Sequence, residues 1–125
     1  MTTYDPEKAP DSAEWLAIGE GERLELVRDY HRRERLRAPK PELHAAIHAV
    51  VENQLAMGVE VVAETYQRLR DEGLNRHDTV HAIGAVLTEH MFHLMRDKPA
   101  GPDLHEAYYQ KLKSLTASSW KKEYG

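Results

Sequence analysis

The sequence predicts an all-α protein. Helix-forming residues (Ala, Leu, Glu, Arg and Lys) dominate between the prolines and glycines, and apolar residues recur at intervals of three and four. Aromatic residues make up 7% of the chain, and the β-branched residues form no alternating runs of the kind that strands require. We expect a compact bundle of four to five helices in which two histidine-bearing helices pack side by side.

Length and composition exclude several classes of protein. With 125 residues the chain can bury a modest core, and we expect a single helical domain over residues 11–120 with its central region at 41–97. The formal net charge of −4 argues against a general nucleic-acid or membrane-surface binder. The chain has no cysteine, which excludes disulfides, thiolate metal sites and cysteine nucleophiles.

The chain begins with a polar stretch that contains proline, and residues 1–10 are therefore expected to be disordered. This stretch has no apolar leader, and no other stretch approaches the roughly 20 apolar residues that span a bilayer. We therefore expect a cytoplasmic protein without a membrane partner. Asp11 or Ser12 is then expected to cap a short helix that carries Trp15.

Proline, glycine and asparagine mark the ends of the remaining helices. Pro41 suits the first turn of a helix, and Gly73 suits the residue that follows one. Asn75 and Asp103 suit the caps of the next two helices. Together with the apolar spacing, these residues predict helices over about residues 22–37, 41–57, 59–72, 76–97 and from 103 onward.

Two pairs of histidines, His44 with His48 and His77 with His81, are each spaced four residues apart in these helices. At about 100° per residue, both pairs fall at the margin of the apolar stripe and not on its wet face. Glu52 lies one turn after His48 and can reach the same point. If the helix between them runs antiparallel to both neighbours, the two histidine-bearing helices run parallel and the four ring nitrogens can meet.

Such a cluster favours a transition metal. Neutral imidazole is a common ligand of Zn, Fe, Cu and Ni, and histidines at i and i+4 present two nitrogens from one helix face. His44 and His77 lie in first helical turns, where the positive helix end disfavours imidazolium. We predict one divalent Zn, Fe, Ni or Cu ion bound by His44, His48, His77 and His81, with Glu52 as a fifth ligand or as a proton acceptor.

The other histidines lack this pairing. His31, His90, His93 and His105 are expected at the surface or periphery, and the sequence leaves open whether Glu89, His90 or His93 contributes to the site. The ExxH pairing of carboxylate-bridged di-iron bundles is absent, which favours a mononuclear centre. A haem bound by two histidines is conceivable, but the chain has no haem-attachment motif.

Residues 40–97 carry a resemblance to a known family. The runs "KPELHAAIHAVVENQLAMG" and "VAETYQRLRDEGLNRHDTVHAIGAVLTEH" resemble the bacterial domain-of-unknown-function family 1841, which shows Pro, HxxxHxxxExQL, a spacer helix, then HxxxH and a later Glu. The leading segment "AEWLAIGEGERLELVRDYHRR" departs from that family. The family implies no established reaction, so the resemblance supports the choice of residues that fall on its pattern, namely His44, His48, Glu52, Gln54, His77, His81 and Glu89.

Two hypotheses from different classes follow. The first is a metal-binding helical protein whose mononuclear site is structural if its shell is closed, and activates water or a small substrate if a coordination position is open. The alternative is a metal-free protein-interaction module whose histidines are hydrogen-bonded core residues or pH-sensitive contacts. The sequence leaves open whether the chain is an enzyme, acts on a small molecule or forms a homo-oligomer.

Overall fold

The computed structural model describes residues 3–34, 40–97 and 105–124, and these ranges contain α-helices and no strand. The all-α prediction is confirmed. None of the helices in these ranges combines the length and apolar character that crossing a membrane requires. In chain order the helices are α1 (Ser12–Ala17), α2 (Glu20–Arg33), α3 (Pro41–Ala56), α4 (Glu60–Asp71), α5 (Arg76–Asp97), α6 (Glu106–Ser114) and α7 (Ala117–Tyr124).

The described residues contain more helices than the expected four to five. The short helix predicted around Trp15 is α1, and the segment predicted as one last helix from residue 103 onward contains two helices, α6 and α7. The chain divides into two compact units, unit 1 (Met1–Val59) and unit 2 (Glu60–Gly125). Each unit has a core of its own. The single domain over residues 11–120 and the side-by-side packing of the two histidine-bearing helices stay predictions.

The ends of the central helices follow from local sequence. Pro41 occupies the first turn of α3, where its missing N–H costs no helical hydrogen bond. Gly58 and Gly73 follow α3 and α4 with φ of 70° and 103°, a left-handed conformation that glycine adopts without a Cβ clash. The Asn75 side chain accepts from the Asp78 amide at 2.8 Å and so caps α5 as predicted. The bounds of these helices agree with the predicted ones to within one residue.

The outer helices were predicted less closely. The Asp11 side chain accepts from the Glu14 amide at 2.9 Å, which makes it the cap of α1. Helix α2 begins at Glu20, earlier than expected, because Gly19 is its N-cap and Gly21 lies inside it. The predicted end of this helix near residue 37 and the predicted cap Asp103 lie outside the described residues.

In unit 1, α1 and α2 both pack on α3. Residues 1–10 were expected to be disordered, but Tyr4 lies in this core and is only 1% exposed. An aromatic ring with a hydroxyl at its tip gains from burial when that hydroxyl finds a hydrogen-bond partner inside, and Tyr4 finds one. The buried cluster consists of Tyr4, Trp15, Leu26, Val27, Ala45 and Ala49.

In unit 2, helices α4, α5 and α6 pack on one another. Two side chains at the end of α4, Arg68 within the helix and Glu72 just after it, bind the ends of the last helices. The Arg68 guanidinium donates to the carbonyls of Leu112 (2.9 Å) and Leu115, while the Glu72 carboxylate accepts from the Ala117 amide at 2.7 Å. Unpaired carbonyls and amides at helix ends are thereby satisfied. The buried core of this unit includes Val62, Leu69, Val80, Ile83, Tyr108 and Leu112.

Candidate metal centre

Helices α2 and α3 bring three histidines together in unit 1. His44 and His48 lie one turn apart on α3, and His31 lies in the last turn of α2. His48 is buried, whereas His31 and His44 are half-buried. One ring nitrogen from each of the three lies within 4.8 Å of those of the other two. The rings meet edge to face, with centroids 4.8 Å apart for His31 and His44 and 5.4 Å apart for His31 and His48.

The backbone of α2 sets the tautomer of His31. Its Nδ1 lies 2.8 Å from the carbonyl oxygen of Val27. A carbonyl oxygen only accepts hydrogen bonds, so Nδ1 must carry a hydrogen and donate. In the neutral ring the lone pair is then on Nε2, the nitrogen that faces His44. A backbone oxygen that accepts from the second ring nitrogen is the usual partner of a histidine that binds a metal through the first.

The Tyr4 hydroxyl sets the tautomer of His48. It donates to Oε2 of Glu52, and its oxygen lies 2.8 Å from Nε2 of His48. Because the hydroxyl has one hydrogen and the carboxylate takes it, the contact with His48 requires Nε2–H to donate to the tyrosine oxygen. The neutral His48 ring then has its lone pair on Nδ1. All three side chains are at most 2% exposed.

The spacing of the nitrogens suits a metal ion. Nε2 of His31 and Nε2 of His44 are 3.1 Å apart. Zinc binds imidazole nitrogen at about 2.0–2.1 Å, which separates two tetrahedral ligands by about 3.3 Å. The same 3.1 Å also fits a hydrogen bond in which His44 Nε2–H donates to His31 in a metal-free chain. The geometry is therefore compatible with metal binding and also with a hydrogen-bonded histidine pair.

The edge of unit 1 beside this cluster is charged. Burial raises the pKa of Tyr30 above its usual range, and the nearby carboxylates of Glu34, Asp5 and Glu7 raise it further. Arg33 opposes this rise in pKa: its guanidinium lies over the Tyr30 ring, 5.8 Å from the centroid. Tyr30 therefore stays neutral and packs as a ring beside the cluster.

The second predicted pair lies in unit 2. His77 and His81 are one turn apart on α5, with their Nε2 atoms 3.1 Å apart and ring centroids 4.2 Å apart. Both are half-buried. The i, i+4 spacing thus brings two ring nitrogens close together on one helix face, as it does for His44 and His48. The prediction that all four nitrogens bind one ion stays a prediction.

The sequence did not identify two residues at this site: His31, one of the three clustered histidines, and Tyr4, the hydrogen-bond partner of His48. His31 was expected at the surface or periphery without a histidine partner. It is half-buried, but its ring contacts His44 because α2 packs on α3. Its one available signal was its position four residues after Val27, a core residue of α2. Tyr4 was missed because residues 1–10 carry no helical periodicity. Glu52, predicted as a fifth ligand or proton acceptor, accepts a hydrogen bond from Tyr4.

The remaining histidines divide into buried and exposed. His90 was expected at the periphery, but it is 6% exposed and stacks on Tyr108 with ring centroids 5.6 Å apart. His93 and His105 are exposed as predicted, and Arg96 donates to Nδ1 of His93 at 2.6 Å. Glu89, left open in the sequence, forms an exposed ion pair with a lysine of α6, Lys111.

The comparisons with known proteins give this cluster no counterpart: no model of a protein family, no curated protein and no solved structure matches the chain.

Proposed function

We propose that the protein binds one divalent transition metal ion, with His31, His44 and His48 of unit 1 as ligands. The observation that carries this proposal is the convergence of three ring nitrogens within 4.8 Å of one another. Two of these rings also donate from their other nitrogen to an oxygen, His31 to Val27 and His48 to Tyr4. Donation from the second ring nitrogen orients a histidine for ligation and raises its basicity.

The three imidazole ligands narrow the choice of metal ion. Three neutral imidazoles without thiolate suit Zn, Fe, Ni or Cu better than Mg or Ca, which prefer oxygen ligands. Three histidines also leave at least one coordination position for water, a small substrate or a further protein ligand. An ion with an open position lowers the pKa of bound water and polarises a bound carbonyl or phosphoryl oxygen. Glu52 is the carboxylate next to the cluster that we propose as the proton acceptor.

The first test is the metal content of the purified chain. We expect near-stoichiometric metal by elemental analysis after growth in supplemented medium, and its loss in His48→Ala. His93→Ala is the matched control, because His93 is an exposed histidine of unit 2 hydrogen-bonded to Arg96. Zn²⁺ at 100 times its Kd should stabilise the parent chain by about 2.7 kcal/mol. A parent chain without metal, whose melting temperature does not respond to added Zn²⁺, would overturn the proposal and leave the metal-free interaction module.

A second pair of variants tests whether His77 and His81 belong to the same site. If they supply ligands, His81→Ala should lower the affinity for Zn²⁺ as strongly as His44→Ala does. If the site consists of the three unit 1 histidines, His81→Ala should bind Zn²⁺ like the parent. Competition against a chromophoric chelator gives both affinities directly. We also propose that the chain is related to the domain-of-unknown-function family 1841, because the pattern of that family contains both histidine pairs.

A further inference from the structure

The Tyr4 hydroxyl stands between a proposed metal ligand and a buried carboxylate. It accepts from Nε2 of His48 at 2.8 Å and donates to Oε2 of Glu52. We propose that Tyr4 is a positioning residue of the metal site, and that through it the docking of the amino-terminal segment (residues 3–10) is coupled to metal binding at His48. This inference rests on the proposed function.

The first step is the tautomer of His48. A neutral imidazole has one N–H and one lone pair, and only the nitrogen with the lone pair binds a metal. With Glu52 taking the hydroxyl hydrogen, the Tyr4 oxygen is an acceptor, so it favours the His48 tautomer with hydrogen on Nε2. This tautomer presents Nδ1 to a metal. Removal of the hydroxyl removes this preference for the tautomer with hydrogen on Nε2.

The second step is the separation of the hydroxyl from the packing of the ring. The Tyr4 ring contacts Trp15 (centroids 5.7 Å apart), Tyr30 (6.1 Å) and the His48 ring (5.4 Å). In addition, Arg33 donates to the Tyr4 carbonyl oxygen at 3.1 Å. Tyr4→Phe keeps all of these contacts and removes the hydroxyl alone. This variant therefore changes the orientation of His48 without emptying the core.

The third step is reciprocity. If docking of the segment increases the affinity of the site for metal by some factor, bound metal must increase the equilibrium constant for docking by the same factor. Contacts to the second nitrogen of a metal-binding histidine typically change metal affinity by about 10–100-fold. We expect an effect of this size for the Tyr4 hydroxyl.

The experiment compares Tyr4→Phe with the parent and with Tyr108→Phe. Tyr108 is the matched control, because it is also 1% exposed but lies in unit 2 against His90. We expect Tyr4→Phe to weaken Zn²⁺ binding by about 10–100-fold, and Tyr108→Phe to leave it unchanged. Equal affinities of Tyr4→Phe and the parent would overturn the proposal.

A readout on the metal-free chain distinguishes positioning from general loss of structure. Long-range ¹H–¹⁵N spectra of the imidazoles should show His48 as a single tautomer with hydrogen on Nε2 in the parent, and as a mixture in Tyr4→Phe. A parent His48 with hydrogen on Nδ1 would overturn the positioning role even if zinc binds. If the parent binds no Zn²⁺, the proposed function and the coupling both fail, but the tautomer still shows whether Tyr4 orients His48.

The coupling itself is measured by amide hydrogen exchange in residues 3–10. Saturating Zn²⁺ should slow this exchange in the parent, by the factor by which Tyr4→Phe weakens Zn²⁺ binding. In Tyr4→Phe the same amides should respond to Zn²⁺ much less. An amino-terminal segment whose exchange is the same with and without bound Zn²⁺ would contradict the coupling.

Discussion

Buried polar side chains in the two units find their hydrogen-bond partners at very different separations along the chain. In unit 2, the hydroxyls of Thr65 and Thr79 each donate at 2.8 Å to the backbone carbonyl four residues earlier in sequence. In unit 1, Tyr4 reaches His48 and Glu52, which follow it by 44 and 48 residues. The first kind of bond needs only a helix, whereas the second kind needs a completed fold.

This difference shows which hydrogen bonds fix the orientation of functional side chains. A threonine that donates to its own helix satisfies a buried hydroxyl and places no constraint on other elements. A tyrosine that joins two residues of a distant helix orients both of them at one point. Long-range polar contacts in unit 2, such as those of Arg68, instead go to backbone groups at helix ends. Unit 1 thus orients side chains, while Arg68 and Glu72 of unit 2 join helices.

The largest expected effect is the loss of the aromatic wall of unit 1. Trp15 is fully buried, contacts the Tyr4 ring and donates from Nε1 to Asn53 at 2.9 Å. Trp15→Ala should lower the free energy of unfolding by about 3–5 kcal/mol, measured by urea denaturation, and should weaken Zn²⁺ binding as well. Trp120→Ala, at a half-buried tryptophan of unit 2, should cost less than half as much. Equal losses for both variants would break the comparison.

The next effect tests the long-range contacts of unit 2. The Arg68 guanidinium donates to the carbonyls of Leu112, Lys113 and Leu115 at the end of α6. A lysine cannot make this forked contact. Arg68→Lys should lower the free energy of unfolding by about 1–3 kcal/mol. Arg70→Lys on the same helix is the control, since Arg70 donates to a single carbonyl at 3.3 Å. If both variants unfold at the same urea concentration, Arg68 does not join the helices as described.

The smallest effect concerns a local cap. Asn75→Ala removes the acceptor of the Asp78 amide at the start of α5 and should lower the free energy of unfolding by about 1 kcal/mol. Asn75→Asp keeps an acceptor oxygen at the same place and should restore most of this stability. Thermal denaturation of the three proteins checks both expectations. A cost as large as that of Arg68→Lys would show that the local and long-range contacts of unit 2 do not differ in weight.

Much of the fold could be predicted because it depends on neighbours in sequence. Pro41, Gly73 and Asn75 each act on the backbone within a few residues of their own position, and helix ends placed by such residues were found as expected. The i, i+4 histidines are equally local, since one helical turn brings them to one face. The Nε2 atoms of His77 and His81 accordingly lie 3.1 Å apart.

Only the tertiary structure revealed the rest of the unit 1 cluster. His31 joins His44 because α2 packs on α3, and Tyr4 joins His48 because a segment without helical periodicity is held by its aromatic ring. By itself, the sequence determined which residues form helices and which histidines share a helix face, since both depend on contacts within about one turn. Packing between distant segments decided which groups meet in unit 1, namely the His31 ring with His44 and the Tyr4 hydroxyl with His48. No local periodicity encodes such packing.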